Sequence, residues 1–228
     1  MLSKRVFDVC LSGFGLVASS PLWLLIAAAI KLEDRGPVFY TQERVGKDGK
    51  VFKVYKFRSM IPDAEKHTGP IQARENDPRV TRVGKILRAT AMDELPQLWS
   101  IFKGDMSFVG PRALRPEEIE ADPRSKYKRI EDFPNYSIRI SVVPGLTGIA
   151  QVFAPRDVTR RNKFRYDALY VRKRSFLLDL ELVFLSFLVT FSGGWENGER
   201  PRRLRRWRRM LKGVGRKSVK VWGVRRGW

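Results

Sequence analysis

The chain opens on one long apolar run, passes through short mixed segments, returns to an apolar run near residue 180, and ends polar. Residues 6–30 (VFDVCLSGFGLVASSPLWLLIAAAI) hold a single charge, Asp8, with Lys4 and Arg5 before them and Lys31 after. A straight helix of that length measures about 37 Å, enough to cross a hydrocarbon core of about 30 Å. Two features favour another arrangement. Ser20-Pro21 falls near the middle, where proline removes a backbone hydrogen bond and bends the helix, and the Ser20 hydroxyl is placed to ease that break. Each half is then too short to span. Both flanks are also basic, and residues 31–60 carry eight Lys and Arg against four Asp and Glu. Positive-inside logic puts both ends in the cytoplasm, which a single crossing cannot satisfy. The pattern predicts a re-entrant helix hairpin dipping into one leaflet. A cleavable signal peptide is the rival, since Ala27-Ala28-Ala29 loosely imitates a cleavage site, but Asp8 and the mid-run proline speak against it.

Beyond the run, residues 37–42 and 51–57 are β-prone, and Gly46-Lys47-Asp48-Gly49 between them supplies turn chemistry, so a β-hairpin is expected. Residues 79–89 (RVTRVGKILRA) read as a helix, with Val80, Val83 and Leu87 at i, i+3 and i+7 and Ile86 beside them. Arg79, Arg82, Lys85 and Arg88 take its other faces. Such a helix can lie in the headgroup plane or pack as an ordinary surface helix. Residues 95–103 form a short helix with Pro96 in its first turn and Gly104 ending it. Residues 115–132 read as a charged helix, and 136–143 as a strand running into Pro144-Gly145. The run 176–191 contains Asp179 and Glu181 and is too short to span, which makes it an interfacial or core helix. The fold class expected is α+β, mainly helical, with a re-entrant membrane hairpin, interfacial amphipathic helices and a small cytoplasmic domain containing a β-hairpin. Its parts are an anchor over 1–32, a catalytic domain over 33–192 and a polybasic tail over 193–228.

Charge sharpens this division. The net charge is +21 over 228 residues, yet residues 200–228 hold 13 Lys and Arg and no acid, which leaves +8 on the rest. A basic chain seeks polyanions: nucleic acid, anionic lipid headgroups or a phosphorylated small molecule. Cys10 is the only cysteine, so no intramolecular disulfide can form, and His67 is the only histidine. Ser-His-Asp chemistry and His-rich metal sites are thereby nearly removed, and carboxylates become the reactive groups to consider.

The carboxylates that stand out are Asp93 and Glu94, in Thr90-Ala91-Met92-Asp93-Glu94-Leu95-Pro96-Gln97. One reading is a helix start, with Thr90 and Asp93 spaced as a capping box. The other is catalytic: a helix N-terminus and nearby Arg88 would depress the Asp93 pKa and keep it ionised, able to attack phosphorus or hold Mg²⁺. Around the pair lie segments rich in glycine, proline and basic groups: Lys56-Phe57-Arg58-Ser59-Met60, Gly104-Asp105-Met106-Ser107, Val109-Gly110-Pro111-Arg112, and residues 144–151 (PGLTGIAQ). Glycines allow close backbone approach to phosphate, and arginine offers bidentate contact. No segment matches a Walker loop or a dinucleotide fingerprint.

In order, these segments resemble the bacterial sugar transferase family, the monotopic phosphoglycosyl transferases, over roughly residues 3–192. The set runs from Lys4-Arg5-Val6-Phe7-Asp8 through Gly36-Pro37-Val38-Phe39, Gln42-Glu43-Arg44-Val45-Gly46, KFRSM, MDELPQL, GDMSFVGPR and PGLTGIAQ to Lys163-Phe164-Arg165-Tyr166-Asp167 and Tyr170. The resemblance implies a two-step exchange. Asp93 matches the nucleophile that attacks the sugar-bearing phosphate of a nucleotide diphosphate sugar, with a UDP-sugar the family's usual donor. Nucleoside monophosphate leaves, and a polyprenol phosphate takes the phosphosugar from the enzyme. Mg²⁺ would sit near Asp93 and the diphosphate, with Glu94 assisting. Lys56, Arg58, Arg88, Gly110, Pro111, Arg112, Thr147 and Gln151 are the implied substrate-binding positions, with Lys56, Arg88 and Arg112 on phosphate oxygens. The implied place is the cytoplasmic face of a bacterial inner membrane, in glycoconjugate or exopolysaccharide biosynthesis.

Two departures matter. After Ala150-Gln151 the family often has a Gly-Arg pair, where this chain reads Val152-Phe153-Ala154-Pro155-Arg156, so the sugar is not carried over. The tail, with Trp207, Trp222 and Trp228 among its basic residues, lies outside the resemblance and fits attachment to anionic membrane lipids. The short form is expected, without the extra membrane-spanning region of longer relatives. A nucleic-acid-binding protein is the alternative that the pI suggests, but it leaves the apolar run unexplained, and no nucleic acid is expected among the partners. A non-catalytic membrane scaffold is the other alternative, for which Asp93→Asn would be harmless. The sequence sets no oligomeric state.

Overall fold

A computed structural model describes residues 2–64, 77–116, 118, 127, 129–154 and 158–191. The architecture is mainly helical with two small sheets. Its elements are α1 (Leu2–Asp34), β1 (Phe39–Val45), β2 (Val51–Phe57), α2 (Arg82–Ala89), α3 (Gln97–Lys103), β3 (Ser107–Val109), α4 (Tyr136–Ile140), β4 (Gly145–Thr147), α5 (Ile149–Phe153), α6 (Arg160–Lys173) and α7 (Phe176–Phe191). The predicted hairpin is present: β1 and β2 pair antiparallel from Phe39↔Phe57 to Val45↔Val51. Asp48 (φ 54°) and Gly49 (φ 79°) make the reversal between them. β3 and β4 pair in parallel, Ser107 with Gly145 and Val109 with Thr147.

The apolar run is one helix, α1, continuous through Pro21. Pro21 cannot donate to the Val17 carbonyl, and the Ser20 hydroxyl donates to that same oxygen at 2.8 Å, as the sequence suggested. Both halves of α1 pack on the domain. In the first half Lys4 Nζ donates to Val109 O (3.0 Å) and pairs with Asp179 (2.8 Å), and Arg5 caps the carbonyls of Ile101 and Phe102 at 2.8 and 2.7 Å. Asp8 accepts from Ser107 Oγ and Phe108 N–H, both at 3.1 Å. In the second half Trp23 meets Phe57 edge-on, and Ile26 and Ile30 join Phe57 and Leu87 in a small core. Glu33 accepts from the main-chain N–H groups of Arg82 (2.6 Å) and Val83 (3.2 Å), opening α2 together with the Thr81 side-chain cap on Gly84. Between these anchor points Phe14, Val17, Leu24 and Leu25 stay exposed.

The main core gathers Ile101, Met106, Phe108 and Val109 with Ile149, Val152, Phe153, Tyr170 and the inner face of α7, Leu178, Leu182 and Leu185. α7 is thus a core helix along one side, while Leu177, Phe184 and Phe187 remain exposed.

Three expectations are corrected. Residues 136–143 are not a strand: 136–140 form α4, entered through Asn135 in the left-handed region (φ 72°). The alternation of Tyr136, Ile138 and Ile140 imitates a strand, but the polar position between them, Arg139, is the buried one and pairs with Asp167 of α6 at 3.1 Å. Val80 lies outside α2, in a bridge with Met60. Thr90 is no N-cap; it closes α2, and its hydroxyl donates back to Ile86 O at 2.8 Å. The charged helix expected over 115–132 lies mostly outside the described residues, and its described end, Ile130–Asp132, is a 3₁₀ turn. The tail 193–228 lies outside them as well.

Candidate active site

Between α2 and α3 the chain must reverse, and Ala91 makes the turn in the left-handed region (φ 56°), a costly conformation for a residue with a Cβ. The following 3₁₀ turn, Met92–Glu94, lifts Asp93 and Glu94 off both helices. This is the irregular helix entrance at which two adjacent side chains can act on one site. β2 brings Lys56 to the turn, β1 brings Arg44, the segment after β3 brings Arg112, and α3 adds Gln97. With Val54, Met106, Ala113, Gly145 and Leu146 these residues line a shallow, open cleft.

The two carboxylates differ sharply. Glu94 forms an ion pair with Lys56 and a longer one with Arg112 at 3.8 Å. Burial raises its pKa, but Lys56, Arg112 and the hydrogen bond from Lys56, with the Gln97 amide nearby, outweigh it, and Glu94 is held at about 2. Asp93 goes the other way. Burial is the largest influence on it; Lys56 and Arg88 lower its pKa, the Glu94 charge raises it, and the result is about 6. The expected depression by a helix terminus and Arg88 is therefore overturned. Asp93 stands on a 3₁₀ turn, not at a helix N-terminus, and the Lys56 ammonium is bound to Glu94.

The other anticipated positions divide. Lys56 and Arg112 are in the cleft, and Arg88 lies near enough to act on the Asp93 charge. Arg58 points elsewhere: buried, it pairs with Asp34 and donates to Pro37 O (2.5 Å) and Met60 O (3.1 Å), fastening the end of α1 to β2. Gly110 and Pro111 bind backbone to backbone. Gly110 N–H donates to Thr147 O and Gly145 N–H to Pro111 O, each at 2.9 Å. A Cβ on Gly145 would collide with the Gly110 main chain, so the glycines serve the approach of two loops. Thr147 Oγ1 and both amide atoms of Gln151 are buried without a hydrogen-bond partner among the described residues. Among the described residues no group of three or more His, Cys, Asp or Glu side chains gathers as a metal cage.

Arg44 and Gln97 also line the cleft, each inside a motif quoted above (Gln42-Glu43-Arg44-Val45-Gly46 and MDELPQL) but without a local signal of its own. Arg44 donates to Ala113 O at 3.1 Å and to the Gln42 side chain. Burial, then Arg112 and Arg115, bring its pKa down to about 10, so it remains a cation at neutral pH.

Together these features define a class: a small α+β domain docked on one long apolar helix, presenting a carboxylate pair ringed by cations. The chain belongs to the bacterial sugar transferase family, whose profile matches residues 1–193. It is 41% identical over 196 residues to a UDP-glucose:undecaprenyl-phosphate glucose-1-phosphate transferase of Klebsiella pneumoniae, covering 84% of this chain and 40% of that protein. It is 39% identical over 193 residues to a UDP-N-acetylgalactosamine-undecaprenyl-phosphate N-acetylgalactosaminephosphotransferase of Aeromonas hydrophila, covering 83% and 44%. With the exopolysaccharide production protein ExoY of Rhizobium meliloti (strain 1021) it shares 38% over 197 residues, 80% of this chain and 83% of that protein. The chain thus spans less than half the length of the first two relatives.

Proposed function

We propose that this chain is a phosphoglycosyl transferase that moves a phosphosugar from a nucleotide diphosphate sugar, a UDP-sugar, to a membrane polyprenol phosphate. The observation that carries this reading is the division of labour between neighbours: Glu94 holds the cations, and Asp93 is left as a half-buried carboxylate at about 6. At neutral pH such a group is mostly ionised and more basic than an ordinary aspartate, which suits it to attack. An Asp93 oxygen attacks the sugar-bearing phosphorus, the bond from that phosphorus to the bridging oxygen breaks, and nucleoside monophosphate departs with the electron pair. A phosphate oxygen of the polyprenol phosphate then attacks the same phosphorus and displaces the aspartate. Lys56 and Arg112 bind phosphate oxygens from the Glu94 side, and Arg88 from the Asp93 side. The relatives named as undecaprenyl-phosphate sugar phosphotransferases support the acceptor.

The donor set fits Mg²⁺, which ordinarily takes one or two carboxylates and completes its shell with phosphate and water. Asp93, and Glu94 through its free lone pairs, would hold it, and when bound it would neutralise charge on the diphosphate.

The membrane arrangement belongs to the same proposal. Packing of both halves of α1 on one domain, with an exposed apolar stretch around Pro21, supports a re-entrant anchor on the cytoplasmic face of a bacterial inner membrane. It would keep the carboxylates at headgroup depth, where a soluble and a lipid phosphate can meet. Exopolysaccharide or related glycoconjugate synthesis is the setting that the relatives suggest.

Identification of the released nucleotide tests the reading. Nucleoside monophosphate is expected; nucleoside diphosphate would mean transfer of the sugar alone and would overturn it.

A further inference from the structure

The charged groups of the site form an ordered line. Arg88 and Lys56 act on Asp93; Lys56 and Arg112 act on Glu94; Arg112 and Arg115 act on Arg44. The line begins at the nucleophile and ends on β1. At that far end Arg44 feels one carboxylate besides Glu94, Glu118, which pairs with Arg160 at 2.9 Å, and the cleft lining itself is rich in positive charge. Arg44, Lys56 and Arg112 line it with a single carboxylate, Glu94, already shared by two of them.

Arg44 is held for a purpose beyond packing. Among the described residues, two of its five N–H groups are engaged, one by Ala113 O and one by Gln42. Val45 N–H donates to Leu114 O at 2.8 Å, so strand β1 and the Arg112–Leu114 segment are tied by two bonds that fix Arg44 relative to Arg112. Two guanidinium groups kept close by backbone ties, against their mutual repulsion, make a preorganised fork for an anion.

We propose that Arg44, with Arg112, forms a second phosphate subsite, which takes the nucleoside-side phosphate of the donor, the one that leaves. This rests on the transferase reading and adds the position of the leaving group. The phosphate under attack lies by Asp93, Lys56 and Arg88; its diphosphate partner lies toward β1. Arg44 therefore acts as a binding residue for the departing nucleotide and stabilises the charge that develops on it.

The test uses the full chain in detergent, with uridine 5′-monophosphate as probe and no turnover. Arg44→Gln should weaken binding of the monophosphate by about 10- to 100-fold, the range for a charge-assisted contact, and leave binding of uridine unchanged. Arg44→Lys should fall between the two, since it keeps the charge and loses the fork. The same dependence on Arg44 should persist in Asp93→Asn, which separates the subsite from the covalent chemistry. Two further arms locate the phosphate. A raised KM for the nucleotide sugar with an unchanged KM for polyprenol phosphate supports the assignment, and the reverse pattern overturns it. Equal monophosphate affinity in the wild-type protein and a folded Arg44→Lys or Arg44→Gln, checked by thermal unfolding, also overturns it. If the wild-type chain released a nucleoside diphosphate, the transferase reading would fall even if Arg44 still bound the monophosphate.

Discussion

Asp93 and Glu94 share a peptide bond and lie on opposite sides of the usual carboxylate range, the first at about 6 and the second at about 2. Burial raises both, and at Asp93 it prevails, whereas at Glu94 the Lys56 ammonium, hydrogen-bonded to it, and Arg112 outweigh it. Glu94 acts as the counter-ion of the cleft, and its neighbour Asp93 makes no ion pair among the described residues.

A stability test follows from the sign of the Asp93 shift. Its folded pKa, about 6, lies above that of an ordinary aspartate, so folding favours the protonated form. That contribution is fully present below about pH 4 and is lost as pH rises through about 6. Asp93→Asn, which cannot ionise, should abolish turnover and stabilise the folded chain by about 1–3 kcal/mol at pH 8, with the gain gone near pH 4. Thermal unfolding across that range measures it; equal midpoints at pH 8 would contradict it.

Glu94→Gln removes a negative charge that raises the Asp93 pKa and releases the ammonium that lowers it. Both effects have the same sign. Carboxyl ¹³C NMR of aspartate-labelled protein should show the titration near pH 6 move toward the ordinary aspartate range. Movement upward would contradict the placing of the Glu94 charge beside Asp93.

Arg139 donates to the main-chain oxygen of Arg112 at 2.6 Å, pairs with buried Asp167 and stacks over the Phe164 ring at 4.5 Å. Arg139→Met leaves Asp167 buried and unpaired, which should cost about 3–5 kcal/mol in chemical denaturation. Asp167→Leu added to it should recover part of that loss. If the single change were neutral, the buried pair would not be supporting the cleft.

Two glycine substitutions should separate by mechanism. Gly145→Ala drives a methyl into the Gly110 backbone and should cost 3 kcal/mol or more, on the order of a severe overpacking. At Gly49 a methyl meets nothing within 4 Å, and only the positive φ of 79° opposes it, about 1 kcal/mol. Unfolding midpoints of the two variants decide this; similar values would show that the close approach of β3 and β4 is not tight.

The sequence announced what is local. The β1–β2 hairpin, α3 between Pro96 and Gly104, and the Ser20 remedy for Pro21 were all readable, because turn residues, caps and a missing N–H act within a few positions. Arg139 was misread because alternation does not reveal which of two faces is buried; the partner that buries it, Asp167, is 28 residues away. Arg58 carried the same charge signal as Lys56 two positions earlier, yet Asp34 and two carbonyls engage it, and only the tertiary structure supplies Asp34. The Asp93 pKa has the opposite sign to the expected one because the sequence gives Arg88 as a neighbour but not the burial of the turn, the largest influence, nor the Lys56–Glu94 pair beside it. Arg44 was overlooked because one arginine on a strand looks like any solvated charge until Arg112 and Arg115 are seen beside it.

The central claim is that Asp93 takes the phosphosugar before the lipid does, and intact-protein mass spectrometry after incubation with donor and no acceptor tests it most directly. A mass increase equal to one phosphosugar, located on Asp93 and discharged when polyprenol phosphate is added, is the predicted result. Product formation by a chain that never carries that mass, or by Asp93→Asn, would contradict it.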